Sequence, residues 1–174
     1  MILRFAASLL LTFLSFGCAA PSGSSSGSIA WSIYTDFPSR PTLSNSTDQI
    51  SAGTIRIQTA SLADGSTGES FTATRATFPK PLTKAEQDDV AEGITKGLLR
   101  GFGGSGKVTA RRSVHVAGKQ ALRMTIDYAG SANTTGEYII VPDGDTVYSF
   151  VHSRRKEGTS SPASEAFLRN IRRR

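Results

Sequence analysis

Apolar and polar residues alternate over most of this chain with the period of a strand, and only two stretches carry the period of a helix. Trp31, Ile33, Thr35 and Phe37 alternate with Ser32, Tyr34 and Asp36 until Pro38 ends the run. Residues 54–59 alternate again, and residues 70–78, rich in threonine, form a further strand that Pro79 stops. Residues 107–116 and 121–128 flank Ala117, Gly118 and Lys119, the pattern of a hairpin; Leu122, Met124, Ile126 and Tyr128 are expected on the core side, with Arg123, Thr125 and Asp127 in water. A second hairpin joins 137–141 to 146–151 across Pro142, Asp143, Gly144 and Asp145.

The two helices are marked by their starts. Thr83 and Glu86 have the spacing of a capping box, after which Val90, Ile94 and Leu98 give one apolar face. The glycine-rich residues 101–106 end that helix. Ser161 with Pro162 opens the second, whose buried side would be Phe167, Leu168 and Ile171, with the terminal arginines suiting its negative C-terminal end. The expected order is strands, one helix, four strands and a final helix, an α+β domain built on a mostly antiparallel sheet.

That order resembles the PsbP-like domain family, from the lead-in Trp31 to Pro38 through to the close at Phe167, Leu168 and Ile171. The likeness includes the helix before a glycine-rich break and the turn within residues 114–123, where Gly118 and Ala121 match the family's glycine followed by an apolar residue. The resemblance spans nearly all of residues 29–174. It implies a central antiparallel sheet flanked by helices, an α/β/α sandwich, and a binding or assembly role, and it carries no catalytic residue over to this chain.

Ahead of the domain, Arg4 precedes an apolar run from Phe5 to Gly17, and the chain's one cysteine, Cys18, follows directly. The run is shorter than the about 20 residues a membrane span needs. With small residues at a cut site it has the form of a secretory signal. Gly17, Cys18 and Ala19 resemble the processing site of a bacterial lipoprotein, although Ser15 stands where leucine is usual. Cleavage after Ala20 and a retained anchor helix are the other readings. A lone cysteine allows no internal disulfide, so the domain must fold on its core alone. The expected organisation is a signal peptide at 1–17, an acylated Cys18 with a Ser/Gly-rich tether to residue 28, and one domain over 29–174. Stretched out, such a tether reaches about 35 Å, and as a coil roughly 18 Å.

Few residues point to a reaction. Residues 101–107 match two phosphate-loop patterns, but Val108 replaces the hydroxyl residue of a P-loop, and the loop follows a helix instead of opening one. Nucleotide binding is therefore not expected. His115, between Val114 and Val116, is expected to point to solvent or to the opposite face of the sheet. His152 shares a face with Tyr148 and Phe150, no carboxylate cluster accompanies either histidine, and solvated polar residues are the reading preferred over a metal site. Asp143 and Asp145 read as turn residues first and calcium ligands second. No serine lies in a nucleophile elbow, and no cofactor is expected.

Charge is distributed unevenly. Residues 21–99 hold six Lys/Arg against eight Asp/Glu, whereas residues 100–174 hold thirteen against six. Arg154, Arg155, Lys156, Arg169, Arg172, Arg173 and Arg174 supply most of the excess and are the candidate residues for an anionic surface. For an exported protein that surface is lipid phosphate or an envelope polymer, not nucleic acid. The resulting expectation is a cell-envelope protein anchored by lipid at Cys18, serving as a binding or assembly-support module for an envelope protein partner. An envelope hydrolase whose site is assembled from distant residues, or a carrier of a small apolar ligand, is the alternative. A hydrolase would show His115 or His152 set against a serine or carboxylate in a pocket.

Overall fold

The computed structural model describes residues 31–101, 106–129 and 133–174. Cys18, the leader, the tether and most of the glycine-rich loop lie outside the described residues. The elements run β1 (Ile33–Tyr34), β2 (Thr42–Ile50), β3 (Gly53–Asp64), β4 (Glu69–Thr77), α1 (Lys84–Gly101), β5 (Gly106–Val116), β6 (Lys119–Tyr128), β7 (Thr134–Asp143), β8 (Thr146–Arg155), α2 (Pro162–Arg169) and β9 (Arg172–Arg173).

β2 to β8 form one seven-stranded sheet in the order β2-β3-β4-β8-β7-β6-β5, antiparallel throughout. Hairpins build its two halves, and the only long crossover, through α1, carries the chain from β4 to the far edge. β4 then meets β8 in the middle. The β5–β6 turn has Ala117 at φ 52° and Gly118 at φ 75°. Two left-handed residues in succession make a primed turn, whose twist matches that of the strands it joins.

Both faces of the sheet are covered. On one, Val90, Ile94 and Leu98 of α1 pack with Ile55, Ile57, Met124, Ile126 and Tyr138. On the other, Phe167 and Leu168 of α2 join Trp31, Ile33, Phe71, Ala73 and Phe150. A bulge at Thr109 shifts the β5–β6 register between Val108 and Ala110. It lets Val108 reach the α1 side while Val114, an even number of residues later, packs on the α2 side. The fold is a mostly-sheet domain with one helix against each face.

The helix starts are as the sequence predicts. The Thr83 N–H donates to Glu86 Oε2 at 2.8 Å and the Glu86 N–H to Thr83 Oγ1 at 3.3 Å. Ser161 caps α2, its hydroxyl accepting from Ser164 N–H at 3.2 Å.

Three local expectations are corrected, and one strand, β2, has no counterpart in the sequence pattern. The alternation from Trp31 to Phe37 yields only the two-residue β1, because its partner β9 offers only two residues to pair with. β2 carries almost no apolar signal and is a strand because β3 templates it along its whole length. The second hairpin turns at Gly144 and Asp145 alone, with Pro142 opposite Val147 and Asp143 opposite Thr146. The last helix stops at Arg169; Ile171 lies beyond it, and Arg172 and Arg173 extend as β9 rather than facing a helix end.

Candidate functional site

The alternation in β8 puts His152 on the same face as Tyr148 and Phe150 and buries it, with 2% exposure. It is not the solvated histidine that its sequence surroundings suggest. β4 runs beside β8 with Phe71 opposite His152, and Glu69, two residues earlier on the same face, is buried as well. His152 Nε2 lies 3.0 Å from Glu69 Oε1. The Ser161 hydroxyl donates to Glu69 Oε2 at 2.6 Å, and the Ser161 N–H donates to Glu69 Oε1 at 3.2 Å. Strand, strand and helix head thus meet on one carboxylate.

Burial alone would raise the Glu69 carboxyl, but the Ser161 hydroxyl and N–H, together with His152, hold it below the usual carboxylate range. Burial pushes His152 below its ordinary value, against the opposing pull of Glu69. An ionised carboxylate only accepts, so His152 Nε2 carries the proton and donates. Glu69 also lies at the N-terminal, positive end of α2.

The connectivity decides what this cluster can do. In a nucleophilic relay a histidine sits on the serine hydroxyl and a carboxylate sits behind the histidine. Here the carboxylate is central, and the serine hydroxyl donates to it while accepting from Ser164 N–H. The arrangement holds α2 onto the sheet. The sequence reading finds no carboxylate for His152 because Glu69 is 83 positions away. The one available signal is that Glu69 shares alternation parity with Phe71 and Ala73, which marks it as inward-facing.

His115 is exposed on the edge strand β5. Asp143 binds Lys119 at 2.7 Å and Arg173 at 3.7 Å. Asp145 accepts from Thr146 Oγ1 at 2.9 Å. Among the described residues, no three His, Cys, Asp or Glu side chains gather into a metal site. Nor is any helix among them long and apolar enough to cross a membrane.

The seven candidate cations are separated into distinct groups. Arg154, Arg155 and Lys156 stand at the end of β8 that pairs with Thr134 and Thr135, whereas Arg173 reaches Asp143 at the other end of that strand pair. A ten-residue strand separates the two groups by roughly 30 Å. The Arg154 guanidinium donates to the carbonyls of Arg155, Lys156 and Gly158 and braces the loop. Lys156 pairs with Asp127 at 3.3 Å and Arg169 with Glu165 at 3.0 Å. Arg172 pairs with Asp36 at 2.7 Å and donates to the Tyr34 hydroxyl at 2.9 Å, and Arg172 and Arg174 both lie against the Tyr34 ring.

The last of these contacts fixes where the basic C-terminus sits. Arg174 N–H donates to the Ser32 carbonyl at 3.0 Å, directly beyond the β1–β9 pair. Arg172, Arg173 and Arg174 therefore lie alongside Ser32, Ile33 and Tyr34.

These features define a PsbP-like fold: a central antiparallel sheet with helices on its two faces, and a short β1–β9 pair beside it. The solution structure of cyanobacterial PsbP (CyanoP) from Synechocystis sp. PCC 6803 matches it with a TM-score of 0.54 at 10% sequence identity, over 86% of this chain and 98% of that one. At that identity the likeness is one of fold. No protein-family model matches the chain, and no curated protein matches its sequence.

Proposed function

We propose that this protein is a lipid-anchored envelope protein, held by an acyl group at Cys18, whose PsbP-like domain works as a binding or assembly-support module. The observation that carries this reading is the Arg174–Ser32 contact. It sets three arginines beside Ser32, where a tether running from an acylated Cys18 would bring anionic lipid headgroups. Acylation supplies the residence and the arginines supply the orientation, since a single chain and a basic patch together hold a domain at a surface that neither holds alone. The rest of the domain then faces away from the bilayer, and confinement raises its effective concentration for a membrane partner. The Glu69–His152–Ser161 geometry favours this over the hydrolase reading, because its serine is turned to the carboxylate and locked by the helix cap.

Affinity purification from crosslinked, gently solubilised envelopes tests the proposal, with Cys18→Ser alongside and acyl labelling of both. The expected result is labelling of the wild-type chain only, and a partner recovered at near-equal amount with it alone. Labelling that persists in Cys18→Ser would remove the anchor. Recovery of nothing above background by either form would remove the assembly role.

A further inference from the structure

Two arginines outside the basic C-terminus have no acid paired with them among the described residues. Arg56 of β3 pairs in register with Thr77 of β4, and Gln58 with Arg75. Partners across a ladder point to the same face, and residues two apart on one strand do as well, so Arg56 and Arg75 are diagonal neighbours on the α2 side of the sheet. Diagonal positions are about 7 Å apart, within reach of two guanidiniums converging on one ligand.

Among the described residues no ion pair engages either arginine, whereas Lys119, Arg123, Lys156, Arg169, Arg172 and Arg173 each have a carboxylate. The acids on this face of β3 and β4 are Asp64 and Glu69, six residues along from Gln58 and Arg75, or roughly 20 Å. Arg75 reaches only Gln58 Oε1, at a long 3.5 Å, and Gln58 in turn donates to Asn45 Oδ1 at 3.2 Å. Among the described residues, Arg75 Nε is the one buried side-chain nitrogen or oxygen without a hydrogen-bond partner.

Two costs therefore meet at one place: a desolvated N–H with no acceptor, and two like charges side by side. A single oxyanion removes both. Nε–H with the neighbouring Nη–H of a guanidinium forms the two-pronged donor that matches a phosphate edge. We propose that Arg56 and Arg75 form a binding site for a phosphate group, with Arg75 turning from Gln58 to present its Nε–H edge and Arg56 supplying the second charge. The site does not depend on the anchor. Its ligand phosphate is either free or part of a lipid headgroup.

The full chain carrying Cys18→Ser, which removes any acyl contribution, is titrated with inorganic phosphate by calorimetry. In parallel it is sedimented with phosphatidylcholine vesicles with and without phosphatidylglycerol. Arg75→Gln is compared with Arg112→Gln, an equal loss of charge on the exposed far-edge strand β5, and Arg75→Lys keeps the charge without the fork. Circular dichroism checks that each variant folds. The expected result is saturable binding that falls by about tenfold or more in Arg75→Gln and Arg75→Lys and is unchanged in Arg112→Gln. Binding of inorganic phosphate identifies a free phosphate ligand; binding to phosphatidylglycerol vesicles alone identifies a headgroup. Binding in neither arm, or equal loss in Arg75→Gln and Arg112→Gln, overturns the site.

Discussion

The hydroxyl of Ser161 at the head of α2 lies 2.6 Å from the carboxylate of Glu69 at the start of β4, across 92 positions of sequence. The same serine caps its own helix by accepting from Ser164 N–H, and the same carboxylate holds His152. One hydroxyl thus joins a local helix-start signal to the middle of the sheet. Its removal is expected to cost more than removal of an ordinary cap.

Thr83 supplies the comparison, since its cap of α1 involves only its own helix start. Thr83→Ala is expected to lower stability by about 1 kcal/mol, and Ser161→Ala by roughly twice that. Urea unfolding of both variants with unchanged m-values reads the difference directly.

Glu69→Ala leaves the His152 ring and two Ser161 donors facing a void. The expected loss is about 3 kcal/mol, since buried donors lose their acceptor together. Equal stability of the variant and the wild-type chain would show that water reaches the cluster and that it is no clamp.

Stability should fall on acidification in two stages. His152 has a folded-state pKa below its ordinary 6.5 because it is buried, so below that pH the unfolded chain takes up the proton first. Its contribution is present above 6.5 and diminishes as the pH falls toward the lowered value. Glu69 is likewise depressed from 4.5, so its contribution is present above that pH and is lost as the pH drops through its lower folded value. Unfolding free energies at a series of pH values should decline below about 6.5 and decline again below about 4.5. His152→Gln should flatten the first stage and leave the second.

Gly136 is buried in β7, and a Cβ there would lie 2.6 Å from the Tyr138 hydroxyl. Tyr138 has no room to retreat: it is 1% exposed, and its hydroxyl lies 2.7 Å from that of Tyr128, whose pKa burial pushes up to about 12. Gly136→Ala is expected to destabilise by about 1–3 kcal/mol, read as a lower Tm with an altered near-ultraviolet tyrosine signal.

Local signals in the sequence were sufficient wherever the cause is local. The alternation of Met124, Ile126 and Tyr128 fixes which face of β6 is buried, because side chains on a strand alternate by covalent geometry. Thr83 with Glu86, and Ser161 with Pro162, fix the helix starts, because the groups that satisfy the free N–H donors are neighbours in the chain. These elements in their order were enough to suggest the PsbP-like fold.

Other features depend on residues that meet only in three dimensions. β2 is a strand because β3 lies beside it, and Arg172 and Arg173 extend because β1 is there to pair with them. The basic C-terminus is a single charge excess in sequence, yet β8 separates Arg155 from Arg173, and Asp36, Asp127, Asp143 and Glu165 engage much of it. Glu69 with His152, and Arg56 with Arg75, show no mutual pattern in the chain. Their proximity is set by the register of non-adjacent or hairpin-paired strands, and register is decided by the packing of whole faces rather than by any short run of residues.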